Sequence, residues 1–180
     1  MTLTGPVLQG PVRARADLRA LLVVQQATST PVHLGAARLL GALGEHAAAW
    51  LVLGTAGAVV DRPQRARWLA ATAAVLGAHG ASVVLKRVSR RPRPQHPDLL
   101  VHVPVGRWSL PSSHVASTTA AALLYGRLIG RPAASALVPL MAVSRMALGV
   151  HTPLDVLAGA AVGAAAASAH DRWSPQVARA

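Results

Sequence analysis

Residues 68–85 read WLAATAAVLGAHGASVVL, a run without a formal charge unless His79 is protonated. A stretch of this length is close to the about 20 apolar residues that cross a bilayer core as a helix. Its Ala, Gly and Ser content suits helices that approach one another closely. Four further stretches share its character: residues 47–60, 111–126, 132–144 and 156–169. Each is somewhat short by itself, and extension into its flanks brings most of them to a spanning length. The pattern predicts an all-α, integral-membrane helical bundle of about five transmembrane helices. A soluble bundle of Ala-rich helices is the alternative that the same pattern allows.

Composition points the same way. The 180 residues are 52% hydrophobic and only 13% charged, against about 25% charged in an ordinary soluble domain. The length suits one domain rather than two. Basic residues outnumber acidic ones 18 to 6, and Lys86 is the sole lysine. Such a balance fits nucleic acid, or a membrane with anionic lipids and phosphorylated substrates. The low charged fraction favours the membrane, so no nucleic-acid partner is expected. With no cysteine, thiolate nucleophiles, zinc-thiolate sites and disulfides are excluded. The first 20 residues lack a signal-peptide core, being interrupted by Arg13, Arg15, Asp17 and Arg19.

Charge between the apolar stretches predicts topology. The turns 61–67 (DRPQRAR) and 126–132 (GRLIGRP) are basic and short, and the positive-inside rule assigns both to the cytoplasm. The long connection 87–110 and the turn 145–151 then fall on the outer face, and the tail 170–180 returns to the cytoplasm. Segment 1–44, with leucines at 18, 21, 22, 34, 39, 40 and 43 between arginines, reads as an amphipathic helix lying on the interface. Its arginines sit on the outer side in this scheme, against the rule.

Three clusters that could do chemistry lie on that outer face. The first, 86–94 (KRVSRRPRP), joins the lone lysine to arginines separated by prolines. It could be a basic headgroup anchor. Arginine forks beside a lysine point charge also suit a phosphate with several oxygens. The second, 109–114 (SLPSSH), opens an apolar helix. Ser112 could be a simple N-cap. Alternatively the free amides of a helix start hold an anion, with Ser112, Ser113 and His114 beside it. The third, 144–155 (SRMALGVHTPLD), ends in what could be only a helix start, Thr-Pro-Leu-Asp. Yet Asp155 lies four residues after His151, within reach of its ring, and a histidine oriented by a carboxylate is an activated nucleophile or base.

Taken together, Lys86-x6-Arg93-Pro94, Pro111-Ser112-x-His114 and Ser144-Arg145-x5-His151-x3-Asp155 resemble the three-part signature of the type 2 phosphatidic acid phosphatase superfamily. That group also includes bacterial acid phosphatases and vanadium haloperoxidases. One departure is Ser113, where the family most often has Gly.

The resemblance implies a membrane phosphatase that hydrolyses a lipid or polyprenyl phosphate or pyrophosphate through a phosphohistidine, without metal or other cofactor. His151 would attack phosphorus, Asp155 would orient it, and His114 would protonate the leaving oxygen. Lys86, Arg93, Ser112, Ser113 and Arg145 would cradle the phosphate. No His-x3-His or carboxylate cluster typical of a metal site appears. The expectation is one domain over 1–180, with catalytic motifs in 86–155, a multi-pass place in the cell membrane and an external active site. A soluble acid phosphatase or haloperoxidase relative, and a non-catalytic protein binding anionic lipid, are the rival readings.

Overall fold

Seven α-helices account for most of the chain in a computed structural model that describes residues 12–173. Residues 1–11 of the N-terminal segment and 174–180 of the tail, Arg179 included, fall outside the described residues. In order the helices are α1 (Val12–Ala27), α2 (Pro31–Gly44), α3 (Ala48–Val60), α4 (Arg65–Ser89), α5 (Ser113–Leu128), α6 (Leu137–Ala147) and α7 (Pro153–Trp173). Five of them, α3 to α7, cover the five apolar stretches. Short 3-10 turns join α2 to α3, α3 to α4, and precede α6.

α5 is the axis of the bundle, packed by α4, α6 and α7. Its residues from Val115 to Ala122 are all buried, including Ser117, Thr118 and Thr119. A helix buried all round needs no apolar stripe, which explains its mixed sequence. α7 lies against it through Gly159 and Gly163, spaced four apart. A Cβ on Gly159 would reach 2.5 Å from the Ser112 carbonyl oxygen, so only glycine lets the backbones come this close. At the other end of the core, the Trp68 and Tyr125 rings pack at a tilt of 38° with centroids 5.3 Å apart, and the Tyr125 hydroxyl donates to the Trp50 carbonyl at 3.1 Å.

Two helical stretches, Pro31–Val60 and Arg62–Ser89, are long and apolar enough to cross a membrane. Their outward faces carry Val52, Val59, Val60, Leu76, Val84 and Val88, all exposed. An apolar surface of this extent is what lipid, rather than water, would cover. α5 has 16 residues and α6 only 11.

The N-terminal segment differs from the single interfacial helix expected for it. Ser29, Thr30 and Pro31 break it in two: the Thr30 side chain accepts the His33 amide as an N-cap and Pro31 opens α2. Both halves dock on the bundle, α1 against α6 and α7, α2 against α6. Leu21 is fully buried, and the Gln25 side chain bonds both ways with Leu100, donating to its carbonyl at 2.6 Å and accepting its amide at 3.0 Å. The tail expected at 170–180 also begins later, since α7 continues through residues 170–173.

Candidate active site

Four helix ends meet on one side of the bundle: the C-termini of α4 and α6 and the N-termini of α5 and α7. Between them and the α2–α3 junction lies a cavity of about 510 Å³, lined among others by Lys86, Arg93, Ser113, His114, Arg145 and His151. A volume of this size suits a small-molecule headgroup. The turns 61–67 and 126–132 lie at the opposite end, where Gln64, Arg67, Arg127 and Asp171 border a hollow of about 280 Å³.

His151 owes its place to the turn after α6. The helix ends at Leu148, and Gly149 follows at φ +73°, the left-handed cap that glycine adopts without strain. The chain thus reverses, and His151 comes back beside Arg145. Thr152 then starts α7. Its amide donates to Asp155 Oδ2 at 3.0 Å, and the same oxygen faces His151 Nδ1 at 3.5 Å. Asp155 is therefore both the helix-start residue and the histidine's neighbour; the two sequence alternatives coexist. The other ring nitrogen, Nε2, sits 3.3 Å from Arg93 Nη1 on the cavity side. Burial pushes the His151 ring down to about 4, against the raising influence of Asp155 and with that of Arg93. At neutral pH the ring is therefore uncharged, and because a guanidinium only donates, the Nε2 lone pair faces Arg93 on the cavity side.

The cationic residues approach from three directions. Lys86, in the last turn of α4, donates to Ser113 Oγ at 2.9 Å. Arg93, in the loop after α4, donates to the Gly106 carbonyl at 2.9 Å and to the Val150 carbonyl. Arg145 is buried near the end of α6, with its guanidinium against Gly41 of α2. Among the described residues none of the three pairs with a carboxylate. The buried Arg145 Nε and Ser112 Oγ likewise find no hydrogen-bond partner there. Three uncompensated cations and two orphaned polar groups make an environment that an anion with several oxygens would satisfy.

Ser112 stands at the N-cap of α5 but its hydroxyl makes no capping bond, so the first-turn amides stay free. Ser112 is fixed instead through its own amide, which donates to the Asp155 carbonyl at 2.9 Å. His114 Nε2 lies 3.1 Å from the Gly41 carbonyl and 3.5 Å from Glu45 Oε2. A carbonyl only accepts, so this nitrogen carries the ring proton. All eight expected residues thus gather at one end of the fold, six of them lining the cavity and Ser112 and Asp155 just behind it.

Sequence reading passed over several neighbours. Gly41 and Glu45 reach the cavity because His46 and Ala47, at φ 49° and 60°, kink the chain between α2 and α3. Arg91 and Asp17 lie behind Asp155. Only Arg91 carried a signal, its position inside the basic cluster.

A model of the PAP2 superfamily matches residues 67–178. The chain belongs to the PAP2 superfamily. It is similar to a decaprenylphosphoryl-5-phosphoribose phosphatase of Mycolicibacterium smegmatis, 48% identical over 81% of this chain and 82% of that protein. It is also 45% identical to the protein of the same description from Mycobacterium tuberculosis, over 83% of this chain and 86% of that one. In fold it resembles the crystal structure of a transmembrane PAP2-type phosphatidylglycerolphosphate phosphatase from Bacillus subtilis. The TM-score is 0.75 at 19% identity, covering 94% of this chain and 90% of that one. This PAP2 member is a phosphatase of the lipid-phosphate class, built on an all-α, membrane-associated fold.

Proposed function

We propose that the protein removes the terminal phosphate of a polyprenyl-phosphoryl sugar phosphate, in two displacements at phosphorus. The curated relatives are named for such a substrate. The observation that carries the reading is the cavity itself: His151, backed by Asp155, beside three cations that pair with no carboxylate among the described residues. His151 Nε2 attacks phosphorus as the P–O ester bond breaks, and the ester oxygen departs with a proton from the His114 imidazolium, which is left as a neutral ring. Water, deprotonated by His114, then attacks the phosphohistidine and releases inorganic phosphate. Lys86, Arg93 and Arg145 stabilise the charge on the equatorial oxygens, helped by Ser112 Oγ and the Ser113 amide. A serine at 113 serves in place of the family's usual glycine because the amide does the binding. Here its hydroxyl also receives the Lys86 proton donor.

Phosphate release by the purified protein tests this directly. A polyprenyl-phosphoryl phosphoribose, phosphatidic acid and phosphatidylglycerol phosphate should be compared in the presence of a chelator. Release is expected from the polyprenyl substrate first, unchanged by the chelator. Vanadate should inhibit, because it adopts the trigonal-bipyramidal shape of the transferring group. Loss in chelator that a divalent cation reverses would exclude the metal-free mechanism. Binding to anionic vesicles with no release from any lipid phosphate would leave only a lipid-binding protein.

The whole chain acts as one membrane-embedded domain in this reading, with α3 to α7 as its about five crossings and the cavity on the external face. The basic turns at the opposite end support that orientation. Since the chain has no cysteine, single cysteines at Gln64 and Gln95 can be probed with an impermeant thiol reagent in intact cells. Labelling is expected at 95 and not at 64; the reverse pattern would invert the orientation.

A further inference from the structure

Arg91 precedes Arg93 by two residues and is no part of the spacing that marks the family. Its Nη1 donates to Asp155 Oδ1 at 2.8 Å and to Thr152 Oγ1 at 3.2 Å. Its Nη2 donates to Asp17 Oδ2 on α1 at 2.6 Å. The second oxygen of Asp17 accepts the amide of Leu154 at 2.9 Å, a first-turn amide of α7 that has no partner within the helix. One guanidinium thus bridges two carboxylates, and both carboxylates fasten the start of α7.

Burial gives this bridge its consequence. Asp155 has no exposed surface, and an isolated carboxylate there would protonate or turn away. Arg91 occupies Oδ1, which leaves Oδ2 for the Thr152 amide and for the His151 ring. The aim of Oδ2 at His151 therefore depends on Arg91 holding the other oxygen. Arg91 in turn spans a gap between elements, and among the described residues Asp17 is the partner that holds its far side. A tether serving stability alone would not need to end on the carboxylate that faces the histidine.

We propose that Arg91 and Asp17 are positioning residues for His151, with Asp17 holding Arg91, Arg91 holding Asp155, and Asp155 holding the ring. The N-terminal helix α1 then supplies part of the site's support, although it lies outside the segment matched by the family model. This inference rests on the reading of His151 as the residue that accepts the phosphoryl group.

The test uses the full chain in detergent, with Arg91→Gln, Arg91→Lys, Asp17→Asn and the double variant Arg91→Gln/Asp17→Asn. Two quantities are read: the rate of phosphoenzyme formation from p-nitrophenyl phosphate, and the inhibition constant of inorganic phosphate, which reports the cationic cradle. At metal sites, losing the hydrogen-bond partner that orients a histidine typically costs 10- to 100-fold, and the same scale is expected for the partner of a nucleophilic histidine. Arg91→Gln should slow phosphorylation by about that factor while phosphate inhibition stays within about threefold of wild type. Arg91→Lys should recover part of the rate, and Asp17→Asn should lose about tenfold. In the double variant Asp17→Asn should add nothing, because its partner is already gone. If Arg91→Gln does not fold, Asp17→Asn and Arg91→Lys carry the same comparison. Unchanged rates, losses that multiply in the double variant, or phosphate inhibition weakening in step with the rate would each overturn the proposal. A wild type that forms no phosphoenzyme contradicts the reading of His151 itself; a wild type that labels normally beside unaffected variants contradicts only Arg91 and Asp17.

Discussion

His151→Ala is expected to form no phosphoenzyme with any substrate and to lose on the order of 10⁶-fold in turnover, the scale of deleting a nucleophile from an otherwise intact site. His151 is the cavity histidine whose ring is backed by a fully buried carboxylate, Asp155; the carboxylate beside His114, Glu45, is exposed. His114→Ala should behave differently. Help to a leaving group is worth typically 10²- to 10⁴-fold and matters least when that group leaves readily. The variant should fail on a lipid alkyl phosphate, become phosphorylated by p-nitrophenyl phosphate, and then stall for want of a base. Rapid quench followed by assay of acid-labile, base-stable label separates the two. Label on His151→Ala but not on His114→Ala would exchange the roles.

Asp155→Asn should slow phosphorylation by about 10³- to 10⁴-fold, as replacing a triad carboxylate by its amide does when the geometry survives. The loss should be as large with p-nitrophenyl phosphate as with an alkyl phosphate, because the defect lies in the nucleophile and not the leaving group. That insensitivity distinguishes it from His114→Ala. The change also removes the charge that Arg91 faces from a fully buried position. Breaking a buried ion pair typically costs 3–5 kcal/mol, so thermal unfolding in detergent should shift downward as well. A variant that phosphorylates at the wild-type rate would show that Asp155 only starts α7.

Much of this architecture is written in local signals. The uncharged runs became α3 to α7 because a helix buried by protein or lipid must exclude charge along its length. The signature residues come together because all four helices that carry them, α4 to α7, present an end to the same side of the bundle. The N-terminal segment, expected as an amphipathic helix on the interface, forms two helices instead, because Thr30 and Pro31 are an ordinary cap and first-turn pair. Its leucines suggested an interfacial face, and only packing shows that Leu21 points into the bundle. Arg91 was hidden for a different reason. Its carboxylate partners lie 64 and 74 residues away in sequence, a separation at which spacing carries no information. The same holds for Gln25 and Leu100, which are 75 residues apart.

Stereochemistry at phosphorus tests the central claim most directly. A monoester made chiral at phosphorus with sulfur and oxygen isotopes can be hydrolysed in isotopically labelled water and the configuration of the released thiophosphate determined. Transfer to His151 followed by transfer to water inverts the centre twice, so the account predicts net retention. Net inversion would mean that water attacks the ester in one step, and would contradict the covalent role assigned to His151.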